Sequence, residues 1–169
     1  TVLDVAQELE HVMGSDLFLI TDGAGRLMAD TADPSAHGHD LSGLPLLAES
    51  FARGSATDVW ADDSHVYQMQ AHRMEFGDEV VGNLVVGYAI DDRVAATVRR
   101  QTGASALILE DGVVRASALA GSENPDEVVR AVAGLSMDDE AQTFWVGTER
   151  FIARARPLPG YAGEHDIRY

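Results

Sequence analysis

Two histidines and an aspartate stand close together in one polar segment of the chain: His37, His39 and Asp40. Imidazole nitrogens and carboxylate oxygens are common ligands of zinc and related divalent ions. His65, at the start of a later expected strand, is a further candidate ligand. A catalytic zinc centre needs three protein ligands and one open position, and no spacing here fixes that third ligand. We expect a polar loop and keep a small metal-binding enzyme as the weaker alternative.

Other patterns that resemble catalytic motifs match structural roles better. The acidic pairs Asp62-Asp63, Asp91-Asp92 and Asp138-Asp139 fall in turns and at helix starts, where carboxylates cap free N–H groups. The turn Asp22–Gly25 lacks the Lys and the Ser or Thr of a phosphate loop. No Gly-x-Ser-x-Gly motif is present, and the chain has no Cys. We predict that the protein is not an enzyme and has no cofactor.

An alternating run near the middle of the chain is a better candidate for ligand binding. Along the expected strand 65–76, alternation places His65, Tyr67, Met69, Ala71, Arg73 and Glu75 on one face. Aromatic walls with a few polar groups suit a small organic ligand. Arg73 would hold a carboxylate through two hydrogen bonds, while Tyr67 or Trp60 would cover the carbon skeleton.

The predicted ligand-binding set is Trp60, Tyr67, Met69, Arg73, Tyr88 and His39, in a cup beneath the loop 31–43. Core packing explains the aromatic side chains equally well. A solvated or ion-paired surface role explains Arg73 equally well.

Charge and composition limit the function further. The chain has 169 residues, 46% of them hydrophobic, and a net charge of -16. A surface this acidic repels phosphate backbones, so we do not expect nucleic-acid binding. No apolar run reaches the roughly 20 residues that span a bilayer. Because the chain begins at Thr1 and ends within an unfinished pattern, we expect a piece of a longer protein.

Hydrophobic periodicity and turn residues predict mixed helices and strands. The expected helices are Val2–Met13, Leu44–Ala52, one capped by Asp91 and closed by Gly103, and one that begins at Asn124. The expected strands are Leu17–Thr21, Arg26–Asp30, Thr57–Ala61, His65–Phe76, Val80–Ile90, Ser105–Leu109, Val113–Ala118, Thr143–Val146 and Arg150–Pro157.

The order of these elements repeats once along the chain. Leu19–Arg26 resembles Leu107–Arg115, and the stretch from Val59-Trp60 to Met74 resembles that from Phe144-Trp145 to Leu158. Two matches in the same order indicate two copies of one unit. The offset places the counterpart of strand Val80–Ile90 at about residue 166. We therefore predict an α+β fold of two PAS/profilin-like lobes, each an antiparallel sheet with flanking helices, the second incomplete at its C-terminal strand.

Five segments form a further pattern: Leu17–Arg26, Val66–Gln68, Glu79–Asp92, Arg99–Gly103 and Ala106–Leu109. They include a Val-Gly-x-x-Leu-x-x-Gly hairpin strand and a helix that begins at Asp and ends in Thr-Gly. Through these segments the chain resembles the double-CACHE sensor domains of bacterial receptors. The resemblance implies an N-terminal helix (1–16), a membrane-distal lobe with the ligand cup (17–91), a connecting helix (92–103) and a membrane-proximal lobe (104–169).

The resemblance also implies a function. We expect the extracytoplasmic, periplasmic part of a transmembrane histidine kinase, chemoreceptor or cyclase, which binds a small polar metabolite, a carboxylate for preference. Membrane helices would flank it in the full-length protein, and a homodimer is possible on this view. The alternative is a ligand-free domain for dimerisation or signal transmission. A fold signature carries function only by association.

Overall fold

The computed structural model describes residues 1–62, 64–119, 124–138, 140–158 and 167–168. The helices are α1 (Val2–Met13), α2 (Pro45–Arg53), α3 (Asp92–Thr102) and α4 (Pro125–Ala133), with a 3-10 turn at Pro34–Ala36. The strands are β1 (Leu17–Asp22), β2 (Leu27–Asp30), β3 (Ser55–Ala61), β4 (Val66–Phe76), β5 (Glu79–Ala89), β6 (Ala106–Glu110), β7 (Val113–Ala118), β8 (Gln142–Val146), β9 (Glu149–Ala153) and β10 (Ile167–Arg168).

The predicted elements are all present among the described residues, and most ends move by one or two residues. One strand is shorter than predicted: β9 ends at Ala153 and not at Pro157. One cap is also different, because α4 begins as predicted but the Asn124 side chain accepts no hydrogen bond from its first turn. The pairs that include Asp63 and Asp139 lie partly outside the described residues. The α+β class with antiparallel sheets is confirmed.

The chain divides into two compact units. Unit 1 comprises residues 1–60 and 67–89, and unit 2 comprises residues 61–66 and 90–169. The connecting helix α3 belongs to unit 2. No helix in the described part of the chain is both long and apolar enough to cross a lipid bilayer.

Unit 1 is built on one antiparallel sheet with strand order β2-β1-β5-β4-β3. Its two faces carry separate apolar clusters. One face, here called the cup face, is covered by α2 and by Ala36 and Leu41 of the loop 31–43; its cluster includes Leu19, Leu27, Leu46, Leu47, Met69, Ala71 and Val85. The reverse face carries Phe18, Ala29 and Val86 against Ala6. Period-two alternation along each strand produces this division.

Helix α1 covers the reverse face, and its sequence defines both of its ends. Thr1 caps it, with the reciprocal Thr1–Asp4 bonds of a capping box. Gly14 ends it in the left-handed conformation (φ 64°), which glycine adopts without a Cβ clash. Ala6 is fully buried, so the helix backbone approaches the sheet closely. Glu10 accepts a hydrogen bond from the Thr31 hydroxyl (2.6 Å), which joins α1 to the end of β2.

Unit 2 repeats the first part of this arrangement. Its sheet has the order β10-β6-β7, as β5-β1-β2 has in unit 1, and β8 pairs with β9 as a separate hairpin. Asp91 caps α3 by accepting the N–H groups of Arg93 and Val94, as predicted. The buried carboxylate of Glu110 pairs with the Arg115 guanidinium (2.7 Å) across the β6–β7 hairpin.

The internal repeat extends to hydrogen-bond register. The β1–β2 pairing shifts between Ile20 and Thr21, and the β6–β7 pairing shifts between Ile108 and Leu109, 88 positions later. A β-bulge at equivalent places is a specific feature that similar apolar runs do not require. Strand β10 lies beside β6 at residues 167–168, where the offset predicted a counterpart of β5.

Candidate functional site

Cross-strand register organises the cup face of unit 1 into three rows. Leu17, Gly87 and Met69 form one row, and Leu19, Val85 and Ala71 form the next. Thr21, Asn83 and Arg73 form the third. The middle row is apolar and buried, so the face has two distinct ends, one aromatic and one polar.

The aromatic end consists of half-buried Trp60 and Tyr67 beside fully buried Met69. Gly87 makes room for Met69, because a Cβ on Gly87 would lie 2.7 Å from the Met69 sulfur and 3.0 Å from the Leu17 Cβ. Asp58 lies on β3 between Ala56 and Trp60, which both pack on the cup face, so alternation directs Asp58 to the same face.

Asp58 is the buried carboxyl group nearest the aromatic end. It is 8% exposed, and its Oδ1 accepts the Val59 N–H at 2.8 Å. A carboxylate removed from water is costly unless it is paired or hydrogen-bonded. Asp58 therefore contributes a buried carboxyl group to this end of the cup face.

The polar end lies beneath the last turn of α2. Ser50 donates a hydrogen bond to Asn83 Oδ1 (2.6 Å), and Thr21 Oγ1 accepts the Asn83 backbone N–H (3.2 Å). Arg73 donates from Nη1 to the Phe51 carbonyl (2.6 Å) and pairs through Nη2 with Glu75 (2.5 Å). Within the described part of the chain, Arg73 Nε and Asn83 Nδ2 are buried donors without a partner. Arg73 therefore fastens α2 to the sheet.

The structure does not bring Arg73 and Tyr67 together. The two residues share a face of β4, as predicted, but six residues along an extended strand span about 20 Å. Fully buried Met69 and Ala71 lie between them. One small metabolite cannot contact both, so the predicted arrangement, a carboxylate on Arg73 under a Tyr67 wall, does not form.

Two other predicted residues lie apart from the aromatic end. Tyr88 is the cross-strand partner of Gln68, which places it on the reverse face of the sheet. His39 is exposed, and its carbonyl accepts the Leu27 N–H (2.8 Å) on β2. Since β1 and β5 separate β2 from β4, that strand lies about 14 Å from β4. Trp60, Tyr67 and Met69 remain together.

The loop 31–43 is part of the sheet edge. Gly38 donates to the Leu27 carbonyl (2.8 Å) and Leu41 donates to the Gly25 carbonyl (2.9 Å), in addition to the His39 contact. Ala36 is buried in the cup-face cluster. Opening this segment as a lid would break those bonds, so the structure does not support the loop as a freely moving cover.

The polar residues of that loop serve its turns. Hydrogen bonds from Ser35 lower the pKa of Asp33, and hydrogen bonds from Ser42 lower the pKa of Asp40. Both carboxylates are therefore engaged with neighbouring serines and are held in their ionised form. Within the described residues, no three His, Asp or Glu side chains are arranged to hold a metal ion.

Unit 2 differs from unit 1 at the equivalent positions. By the repeat, Trp145 and Ile152 correspond to Trp60 and Tyr67. They are 64% and 65% exposed, on the outer face of the β8–β9 hairpin, whereas Phe144 and Phe151 stack on its inner face (5.5 Å). In unit 1, by contrast, this pair of positions packs against an apolar cluster.

Sequence reasoning missed Asp58, Ser50 and Asn83. Asp58 had a usable signal, since it alternates with Trp60 along a strand that was predicted. Ser50 and Asn83 had none, because they are 33 residues apart and meet only where α2 packs on β5.

Comparison with known proteins identifies the fold. No family model and no curated protein matches the chain. Among solved structures, it is similar to the sensor domain of the histidine kinase DctB from V. cholerae: TM-score 0.56, 16% identity, 98% of this chain and 75% of that chain.

Two chemoreceptor domains are similar in the same way. The ligand-binding domain of Campylobacter jejuni Tlp3 in complex with L-valine matches with TM-score 0.56 at 7% identity, over 99% of this chain and 71% of that chain. The ligand-binding domain of the Pseudomonas aeruginosa PAO1 amino acid chemoreceptor PctC, in complex with GABA, matches with TM-score 0.53 at 12% identity, over 97% of this chain and 78% of that chain. The resemblance to double-CACHE sensor domains is thus confirmed in fold.

Proposed function

We propose that this chain is the extracytoplasmic ligand-sensing domain of a bacterial transmembrane receptor and has no catalytic activity. The observation that carries the proposal is the fold, which matches sensor and ligand-binding domains over nearly the whole chain. The ligand is a small polar metabolite, and unit 1 holds it at the aromatic end of the cup face. In the full-length receptor, membrane helices flank the domain and place it in the periplasm.

The packing of unit 1 supports a route for the signal. The row that carries Met69 and Gly87 also includes Leu17 of β1. On the reverse face of β1, Phe18 packs against Ala6 of α1. A ligand that shifts the Met69 row therefore acts through one layer of strands on α1. It can shift the equilibrium only through different affinities for the two states.

Thermal denaturation in the presence of a metabolite panel tests this function. A ligand that binds only the folded state raises Tm, and the rise continues with the logarithm of the ligand concentration above Kd. We expect Tyr67→Ala to abolish the rise, because Tyr67 lies at the aromatic end. Gln70→Ala is the matched control, since Gln70 is exposed on the reverse face of the same strand. A panel in which no compound raises Tm, or equal losses in both variants, would contradict the proposal.

A second candidate function, dimerisation, is favoured by the outer surface of α1. Val2, Val5, Leu9 and Val12 recur at spacings of three, four and three residues and are 42%, 54%, 37% and 75% exposed. This is the a/d spacing of a coiled-coil seam. A second copy offers an identical, self-complementary stripe, and the stripe is uncharged in a strongly acidic molecule.

Sedimentation velocity over a range of protein concentrations tests the dimer. We expect a weak, concentration-dependent dimer, because two heptads are fewer than the three or four that define a stable coiled coil. Val5→Glu should shift the protein to monomer by placing two carboxylates in the seam. Gln7→Glu adds the same charge on another side of α1 and should leave the dimer intact. A wild-type monomer at all concentrations would reject this candidate.

A further inference from the structure

We infer that the outer face of the β8–β9 hairpin in unit 2 binds an anionic lipid surface. The inference rests on the proposed function, because flanking membrane helices hold such a domain beside a bilayer. The surface concerned consists of Trp145, Arg150, Ile152 and Arg154 and is here called the hairpin patch. Its two large apolar side chains are mostly exposed, Trp145 at 64% and Ile152 at 65%.

Cross-strand register places the members of the hairpin patch side by side. Trp145 lies opposite Arg150, and Ile152 lies opposite Thr143. Opposite residues have Cβ atoms about 5 Å apart, and alternate residues of a strand share a face. Trp145, Arg150 and Ile152 therefore form one surface. Arg154 is exposed and continues the alternation one residue past the end of β9.

The charge of the hairpin patch is opposite to that of the molecule, which has 28 acidic and 12 basic residues. Four other arginines each pair with a carboxylate: Arg53, Arg73, Arg93 and Arg115. Among the residues that the structure describes, Arg150 and Arg154 form no ion pair. Glu149 lies opposite buried Val146 and so belongs to the inner face of the hairpin. The patch thus presents two guanidinium groups without a compensating carboxylate.

The residue types of the hairpin patch suit the headgroup layer of a bilayer. A Trp ring has an apolar body and a polar N–H edge, so it is stable at the boundary between membrane and water. Arg side chains donate hydrogen bonds to phosphate while their alkyl stems lie along apolar surface. Each basic residue near an anionic leaflet strengthens binding by about fivefold.

The size of the hairpin patch favours a lipid surface over a protein partner. A stable protein interface takes roughly 20–30 residues from each side, whereas this patch has four residues on two paired strands. A fluid bilayer requires no matching shape. A contact of low affinity is also sufficient, because a receptor that is already anchored keeps the hairpin at a high effective concentration beside the lipid.

The acidity of the whole molecule does not prevent this contact. The net charge of -16 repels an anionic surface at long range. At physiological ionic strength the Debye length is about 8 Å, so carboxylates further than this from the lipid phosphates are largely screened. The guanidinium groups of the hairpin patch act at contact distance, where screening is weakest.

Co-sedimentation of the purified chain with unilamellar vesicles at physiological ionic strength tests the inference. We expect binding to vesicles made of equal parts phosphatidylglycerol and phosphatidylcholine, and binding at least fivefold weaker to phosphatidylcholine alone, because both arginines need an anionic partner. Equal binding to the two kinds of vesicle, or binding to neither, would overturn the inference. The metabolite panel decides the sensing function separately.

Arg150→Gln locates the interaction. This substitution removes one charge from the hairpin patch, and we expect it to weaken binding to the phosphatidylglycerol vesicles by about fivefold. Arg53→Gln removes the same charge from an exposed position on α2 of unit 1 and should leave binding unchanged. Equal effects of the two substitutions would show that net charge, and not the hairpin patch, determines binding.

Trp145→Ala tests the apolar part of the patch. We expect vesicle binding to fall by about fivefold or more, because less apolar surface enters the headgroup region. Phe76→Ala removes another exposed aromatic side chain, 83% exposed at the end of β4, and should have no effect. A wild-type dimer that forms without lipid and dissociates in Trp145→Ala would assign the patch to a second copy and overturn the inference. Arg150→Gln still decides the question if Trp145→Ala does not fold.

Discussion

Gly82 is the residue at which the sheet of unit 1 accepts no side chain. A Cβ built on Gly82 would lie 1.9 Å from the Thr21 carbonyl oxygen, a backbone atom that cannot rotate away. Gly82 sits on β5 opposite Asp22 of β1, so relief of the clash would separate two central strands. The requirement for glycine at this position is steric.

We expect Gly82→Ala to lower the free energy of unfolding by about 2 kcal/mol or more, at the upper part of the range for overpacking. Gly43→Ala is the control, because a Cβ there meets no atom within 4 Å. It should change stability by about 0.5 kcal/mol or less. Urea unfolding followed by tryptophan fluorescence measures both. Equal effects of the two substitutions would show that the close approach at Gly82 is not rigid.

The sequence predicts which face of a strand a residue lies on, and it also determines how far apart two residues on that strand are. Alternation correctly placed Tyr67, Met69 and Arg73 on one face of β4. The rise of a strand, about 3.3 Å per residue, already separates Tyr67 from Arg73 by about 20 Å. The partner of Arg73 was beyond prediction, because Phe51 lies on a helix whose docking depends on the whole core.

At the scale of elements, local chemistry predicted helix ends well. Gly14 ends α1, and Asp91 and Gly103 cap α3, as their residue types indicate. The exception is Asn124, whose side chain does not cap α4 although Pro125 begins it. Proline at the first position already lacks an N–H and has a helical φ, so that helix starts without a side-chain acceptor.

The loop 31–43 shows the limit of local signals. Its polar residues predicted an irregular segment, and most of them are exposed. Its backbone bonds to β2 and its buried Ala36 depend on the strand beside it, which no local pattern describes. The internal repeat carries longer-range information than these local signals. Its offset predicted a strand at about residue 166, and β10 lies at residues 167–168 beside β6.

At the scale of the whole molecule, acidity shapes both solubility and pH response. The 28 acidic residues outnumber the 12 basic ones, and the resulting net charge of -16 causes self-repulsion within the folded chain. This self-repulsion weakens at acidic pH, where carboxylates become protonated.

Six aspartates act in the opposite sense at lower pH. In the folded protein the pKa is lowered for Asp4, Asp33, Asp40, Asp62, Asp91 and Asp138. Burial is the largest single influence on Asp62 and Asp91 and raises their pKa, but hydrogen bonds from neighbouring N–H, hydroxyl and guanidinium groups together outweigh it. Each group binds protons more readily unfolded than folded.

A group with a depressed folded-state pKa stabilises the protein above its unfolded pKa of about 3.9, and that stabilisation is lost as pH falls through the folded value. We therefore expect Tm to hold between pH 7 and 5 and to fall below about pH 4. Asp33→Asn keeps an acceptor oxygen for Ser35 and removes the charge. The difference in Tm between wild type and Asp33→Asn should shrink as the pH is lowered from 6 to 3, measured by circular dichroism. A wild-type Tm that stays level or rises below pH 4 would mean that relief of repulsion outweighs the loss of these six carboxylates.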